Sequence, residues 1–274
     1  MAESFLIMLR EGFEAALIVA IVFAYLRKIG RLDLARPVWL GTLAAGAVAL
    51  IAGLGLNLLV ESLQAETRVR AFAAISFAAA GLLTWMIFWM RKQARGMKRH
   101  LEGKVAEAVG QSATALAAVA FVAVLREGIE TALFMTAVAG AADGLLLALG
   151  GVAGLVVACS IGVAVYRGSR RVSLPTFFRV TGLLVIIVAA GLLARGIFLL
   201  QADGVIGSAN FAVYNLTGIR WLTIDTLPGQ FLSGVLGWDP RPSLEQAAAW
   251  LLYTIPVGFM YFKLTAMRPS QRSA

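Results

Sequence analysis

The stretch Leu9-Arg10-Glu11-Gly12-Phe13-Glu14-Ala15-Ala16-Leu17 decides how this chain is read, because it returns as Leu125-Arg126-Glu127-Gly128-Ile129-Glu130-Thr131-Ala132-Leu133. Seven of the nine positions are identical, at an offset of 116 residues without a gap. Each copy sets one arginine and two glutamates inside an apolar segment long enough to cross a bilayer. An ionised side chain at membrane depth costs about 2.5–3.5 kcal/mol on insertion scales. Six of them in two matched sets point to a function.

The 274 residues are 60% hydrophobic and only 14% charged, with a mean hydropathy of +0.83. A soluble chain carries about 25% charged residues. The composition describes a polytopic membrane protein, and the length suits one domain of about six to eight spans. One cysteine, Cys159, excludes an internal disulfide, and one histidine, His100, lies in a basic segment. A bis-histidine haem and a Cys/His zinc site are therefore disfavoured. No Gly-x4-Gly-Lys-Ser/Thr loop is present, so this chain does not itself use ATP. The first apolar run follows Glu3 and is broken by Arg10, Glu11 and Glu14, unlike a cleaved leader. It is expected to remain in the mature protein.

Seven apolar spans can be marked: Ser4 to Leu26, Val38 to Val60, Ala71 to Met90, Ser112 to Ala139, Leu145 to Tyr166, Phe177 to Leu200 and Gln246 to Phe262. They are rich in Ala, Leu and Gly and lack two-residue alternation, which argues against a β-barrel. The expected fold is all-α: one transmembrane domain over residues 1–274, with repeat one at about 4–90, repeat two at about 112–200, an external loop at 201–245 and a seventh helix at 246–262.

Basic residues cluster after spans 1, 3, 5 and 7: Arg27, Lys28, Arg31 and Arg36; the loop Arg91 to Lys104; Arg167, Arg170 and Arg171; and Lys263, Arg268 and Arg272. Lys and Arg stay cytoplasmic. Seven spans with the N-terminus outside and the C-terminus inside put all four clusters on that side of the cytoplasmic membrane. The net charge of +9 thus reads as topology and anionic-lipid contact rather than nucleic-acid binding. Trp39, Trp85, Trp89, Trp250 and Tyr261 lie near span ends and read as headgroup anchors.

The motifs lie in spans 1 and 4, which enter the bilayer from opposite sides. That arrangement predicts two inverted three-helix repeats with a site at their interface near the midplane. Gly41 and Gly46 in span 2 and Gly151 and Gly154 in span 5 offer a weaker match.

On a helix, Glu11 and Glu14 lie about 60° apart, as do Glu127 and Glu130. Arg10 and Arg126 stand four residues before Glu14 and Glu130, a spacing that permits an ion pair. With one acid per helix left over, the residual charge suits a di- or trivalent cation. Small neighbours (Gly12, Ala15, Ala16, Gly128, Thr131 and Ala132) are expected to let the two motif helices approach each other. Carboxylates are hard ligands suited to Mg, Ca, Mn and iron. The competing reading is a pair of interior salt bridges that only fix packing. A di-metal oxidase is a further alternative, but such bundles add Glu-x-x-His helices, and no intramembrane histidine is present.

The duplicated Arg-Glu-Gly-x-Glu motif in spans 1 and 4 of a seven-span chain resembles the iron permease family. That family includes the fungal permease that works with a multicopper ferroxidase and the bacterial permeases of periplasmic iron uptake. The segment Leu236-Gly237-Trp238, Pro242-Ser243 and Trp250-Leu251-Leu252-Tyr253 is also similar. Ile224-Asp225-Thr226 stands where the family often has Trp-Asp-Thr, and Phe198 and Leu199 stand where bacterial members often carry His and Glu. The resemblance implies a permease rather than an enzyme. It implies Glu11, Glu14, Glu127 and Glu130 as iron ligands on the path, with Arg10 and Arg126 organising them. Iron is then the substrate, no prosthetic group is expected, and a periplasmic or extracellular iron-oxidising or iron-delivering protein is the expected partner. Fe(II) and Fe(III) both remain open, carboxylates favouring the harder ion, and manganese or lead is an alternative cargo. Asp225, Asp203 and Glu61 are candidates for cation capture outside. Arg195, a single charge in span 6, either pairs with a motif glutamate or reaches the interface.

Overall fold

The computed structural model describes residues 1–93, 97–139, 144–167, 174–207, 212–223, 226, 228–229, 232–233 and 237–266. Its long elements are helical: α1 (Ala2–Lys28), α2 (Ala35–Glu61), α3 (Ala65–Gln93), α4 (Met97–Gln111), α5 (Ala113–Ala139), α6 (Gly144–Tyr166), α7 (Leu174–Ala202) and α8 (Leu244–Ala266). Among the described residues there is no strand; Ala212 and Ser243 form an isolated bridge. Among the described residues four stretches, Leu32–Glu61, Ala65–Met90, Gly144–Tyr166 and Thr176–Ala202, are long and apolar enough to cross a membrane. Helices α1 and α5 are as long, 27 residues each, and each carries the three ionisable groups of its motif. The chain leaves α1 through Gly30, whose φ of +73° lets the Arg31 N–H reach back to the Leu26 carbonyl at 2.9 Å. That left-handed turn suits a residue without Cβ.

One segment read as a loop is a helix. The basic stretch after span 3 folds into α4 from Met97 to Gln111. Leu101, Val105 and Ala108 recur at helical spacing and bury into a cluster with Val22, Leu26, Leu34, Val38, Leu116 and Ala120. The charged residues ride on the other face, as in an amphipathic helix. The 201–245 loop also has local order, a 3-10 turn at Arg220–Leu222.

The helices of the two halves exchange partners. Helix α1 packs chiefly on α6, α5 on α2, and α3 on α7. Small residues make the first two contacts close. A methyl built on Gly12 would stand 3.3 Å from the Ala158 Cβ, and one on Gly128 2.5 Å from the Ala49 Cβ. Similarly, Gly162 meets Ala16 at 2.7 Å and Gly53 meets Ala132 at 3.2 Å, while Gly150 faces the Met1 carbonyl and Gly41 the Ala117 carbonyl. Within each of these pairs of contacts, the α1 and α5 residues are 116 apart and the α2 and α6 residues 109 apart. This corrects two expectations. The match in the second helices runs from Gly41 to Gly150 rather than to Gly151, and Gly46 meets nothing within 4 Å. Gly12 and Ala16 join α1 to α6, and Gly128 and Ala132 join α5 to α2, rather than α1 to α5, because Gly12 and Gly128 sit about 100° round the helix from the glutamates before them.

A second repeated stretch lies in the third helices. Ala79-Ala80-Gly81-Leu82-Leu83 and Ile87-Phe88 return as Ala189-Ala190-Gly191-Leu192-Leu193 and Ile197-Phe198, an offset of 110 residues. Ala79, Ala80, Leu83 and Ile87 share a buried cluster with Ala189 and Leu192, and Ile7 of α1 joins them. Tyr261 is no headgroup anchor. It is 1% exposed, and its hydroxyl donates to the Arg179 carbonyl at 2.9 Å, a burial its apolar ring and paired hydroxyl permit.

Candidate metal centre

Helices α1 and α5 touch along their middles and bring the two motifs together. One carboxylate oxygen each of Glu11, Glu14 and Glu127 lie within 4.8 Å of one another. All four motif glutamates are buried, from 1% exposure at Glu11 to 8% at Glu130. Glu130 stands outside the group of three and faces Arg126 of its own helix. Phe13, on the other side of α1, packs against Phe177 at 4.1 Å between ring centres. It therefore fixes the rotation of α1 that turns its acids toward α5. On α5, the Thr131 hydroxyl donates to the Glu127 carbonyl at 2.7 Å, so its polar atom is satisfied locally.

The expected ion pairs form. Arg10 Nε lies 3.4 Å from Glu14 and its Nη1 3.8 Å from Glu11. Arg126 Nε donates to Glu130 at 3.0 Å and stands 4.0 Å from Glu127. They do not satisfy the site. Both oxygens of Glu11, and one each of Glu14, Glu127 and Glu130, are buried without a hydrogen-bond partner, as is Arg10 Nη1. Buried polar atoms are almost always paired, and unpaired ones call for a ligand or a functional reason. Hard oxygen donors converging from two helices, with too few protein donors to meet them, make a cradle for a cation.

The two arginines differ. Arg10 is 3% exposed and Arg126 38%. The Arg126 guanidinium lies 4.2 Å from the centre of the Trp89 ring, so Trp89 is a neighbour of the site rather than only a headgroup anchor. Its place in a Trp-rich border hid that from sequence reasoning.

The external candidates are scattered. Glu61 is exposed and lines an open groove of about 510 Å³ with Arg68, Val69, Phe72, Ala139 and Leu199. Asp203 accepts from Arg70 Nε at 2.6 Å. Asp225 lies outside the described residues. Among the described residues Arg195 makes no ion pair with a motif glutamate, and its Nε is buried without a hydrogen-bond partner.

The Iron permease FTR1 family matches residues 1–269 of this chain. The chain is 34% identical over 261 residues to the ferrous iron permease EfeU of Yersinia pestis, covering 94% of this chain and 92% of that protein. It is also 34% identical over 255 residues to the ferrous iron permease EfeU of Escherichia coli O6:K15:H31 (strain 536 / UPEC), covering 92% of each. No solved structure matches it.

Proposed function

Because this chain belongs to the iron permease FTR1 family, we propose that it carries iron into the cell through the carboxylates of α1 and α5. It is an integral membrane transporter, not an enzyme, and iron is its substrate. The observation that carries the site is the set of buried carboxylate oxygens on Glu11, Glu14, Glu127 and Glu130 that have no hydrogen-bond partner. A salt bridge kept only for packing would pair its acids; here the acids outnumber what Arg10 and Arg126 can satisfy. Iron would take oxygens from both helices, while the two arginines offset half of the charge of the four acids and leave the rest for the cation.

The architecture is seven spans, with α1–α3 and α5–α7 as inverted repeats and α8 as the seventh helix. The partner exchange of α1 with α6 and α5 with α2, and the repeated stretch in α3 and α7, support it. The basic clusters favour an N-terminus outside the inner membrane and a cytoplasmic C-terminus. Alternating access would then expose the shared carboxylates first to one side and then to the other. Cation capture by Glu61, by the acids of the outer loop, or by an iron-oxidising or iron-delivering protein outside would feed the site. Asp203 is the weakest of these, because Arg70 already neutralises it.

Iron uptake into proteoliposomes by the wild type and by E11Q, E14Q, E127Q and E130Q tests this reading. Each variant should reach the membrane folded and lose most of its uptake, because one charged oxygen ligand is then missing from the path. Near-normal uptake by E11Q and E127Q would leave the four acids a packing role. Competition by manganese and lead in the same assay separates an iron permease from a broader cation carrier.

A further inference from the structure

The two motif arginines share their sequence neighbours but not their surroundings. Arg10 is sealed, with Nη1 buried, 3.8 Å from Glu11 and without a hydrogen bond. Arg126 is 38% exposed and has two partners: Glu130, at 3.0 Å, and the face of Trp89 on α3, at 4.2 Å. Trp89 is itself stacked on Trp85, ring centres 5.6 Å apart and planes 24° from parallel. A guanidinium exposed at membrane depth borders water or protein rather than lipid, and an electron-rich ring face attracts it without taking up a carboxylate.

Chain direction gives the difference a meaning. Each arginine precedes its acids, and α1 and α5 enter from opposite sides. Arg10 therefore stands on the outer side of the carboxylates and Arg126 on the inner side. Straight inward between α1 and α5 the way is filled by Ile18, Val22, Leu116 and Ala120, with Leu101 and Val105 of α4 packed beneath. The exposed polar group on the inner side is Arg126, turned toward α3.

Building on the four-carboxylate reading, we propose that iron leaves inward past Arg126, and that Trp89 is the seat onto which the guanidinium withdraws when Glu127 and Glu130 take the cation. Without the ring, Arg126 stays on Glu130 and competes with the cargo. Trp89 is thus a positioning residue: it touches the arginine, not the metal.

Anaerobic Fe(II) binding to the full-length protein in detergent tests the seat, using W89F, W89L, W89M, R126Q and W89L/R126Q. W89L and W89M should each weaken binding about fivefold, the scale of a partly exposed cation–π contact. W89F should keep most of the affinity. In the R126Q background W89L should change nothing, because no guanidinium then needs a seat. Wild-type affinity in W89L, equal losses in W89F and W89L, or an undiminished W89L effect beside R126Q would each overturn the proposal. Should W89L not fold, W89M against W89F decides the same point. Undiminished Fe(II) binding and uptake by E11Q would instead overturn the four-carboxylate reading, whatever Trp89 does.

Discussion

Gly128 of α5 faces Ala49 of α2 so closely that a methyl on Gly128 would stand 2.5 Å from the Ala49 Cβ. The mate of this contact is Gly12 facing Ala158 of α6 at 3.3 Å. The glycine of the motif is therefore a packing residue whose absent side chain sets how near each motif helix lies to the other half. G128A should destabilise the protein by about 1–3 kcal/mol, the usual cost of overpacking, and G12A by less. Adding A49G to G128A should restore most of the loss. Thermal unfolding in detergent measures all three; a G128A protein as stable as wild type would mean the contact is looser than described.

The arginines should differ in what their removal costs. R10Q strips the counter-charge from a wholly enclosed set of acids and leaves Glu11 and Glu14 uncompensated. Truncating one partner of a buried ion pair costs about 3–5 kcal/mol. R126Q acts at a position open to solvent on one side and should cost less. Folded yield and unfolding temperature of the two variants check the order, and equal losses would contradict the difference in burial.

Helix α4 should come loose when its apolar stripe is shortened. Leu101 is 7% exposed within the cluster that joins α4 to α1 and α5. L101A should cost about 2–5 kcal/mol, as for buried leucines elsewhere, and should speed tryptic cleavage at Lys104. Unchanged cleavage would mean that α4 is held by something other than this cluster.

The Arg70–Asp203 pair should matter little. Arg70 is 56% exposed and Asp203 6%, so solvent and salt screen the pair from the side of the arginine. D203N is expected to keep both the unfolding temperature and iron uptake within error of wild type. A clear loss of uptake would return Asp203 to the list of cation-capturing residues.

Much of this molecule was legible before any coordinates. The Arg-Glu-Gly-x-Glu stretches stand out because ionised residues are rare in apolar runs, and the charge of the loops orders the spans. What stayed hidden had physical reasons. The stripe Leu101, Val105, Ala108 is masked by the lysines and arginines between its members. The repeat joining 79–88 to 189–198 is made of Ala, Gly, Leu, Ile and Phe, and identity among such residues is a faint signal in any membrane segment. The role of Trp89 could not be read, because a ring near a bilayer border serves lipid equally well. That Glu11, Glu14 and Glu127 meet was expected from their helix faces. That Gly12 and Gly128 look elsewhere follows from the same periodicity, applied one residue further on.

The exchange of partners between the halves has a consequence for how the protein is made. Helix α1 finds its main neighbour only when α6, which ends at Tyr166, has left the ribosome. At about 5–20 residues per second the newborn α1 waits roughly 7 to 28 seconds for that neighbour with the three ionised groups of its motif, and α5, which ends at Ala139, joins it only late in the wait. During that interval it needs shelter from lipid, so biogenesis should depend on an insertion factor that tolerates charge, and truncation before α6 should leave a nascent chain marked for degradation.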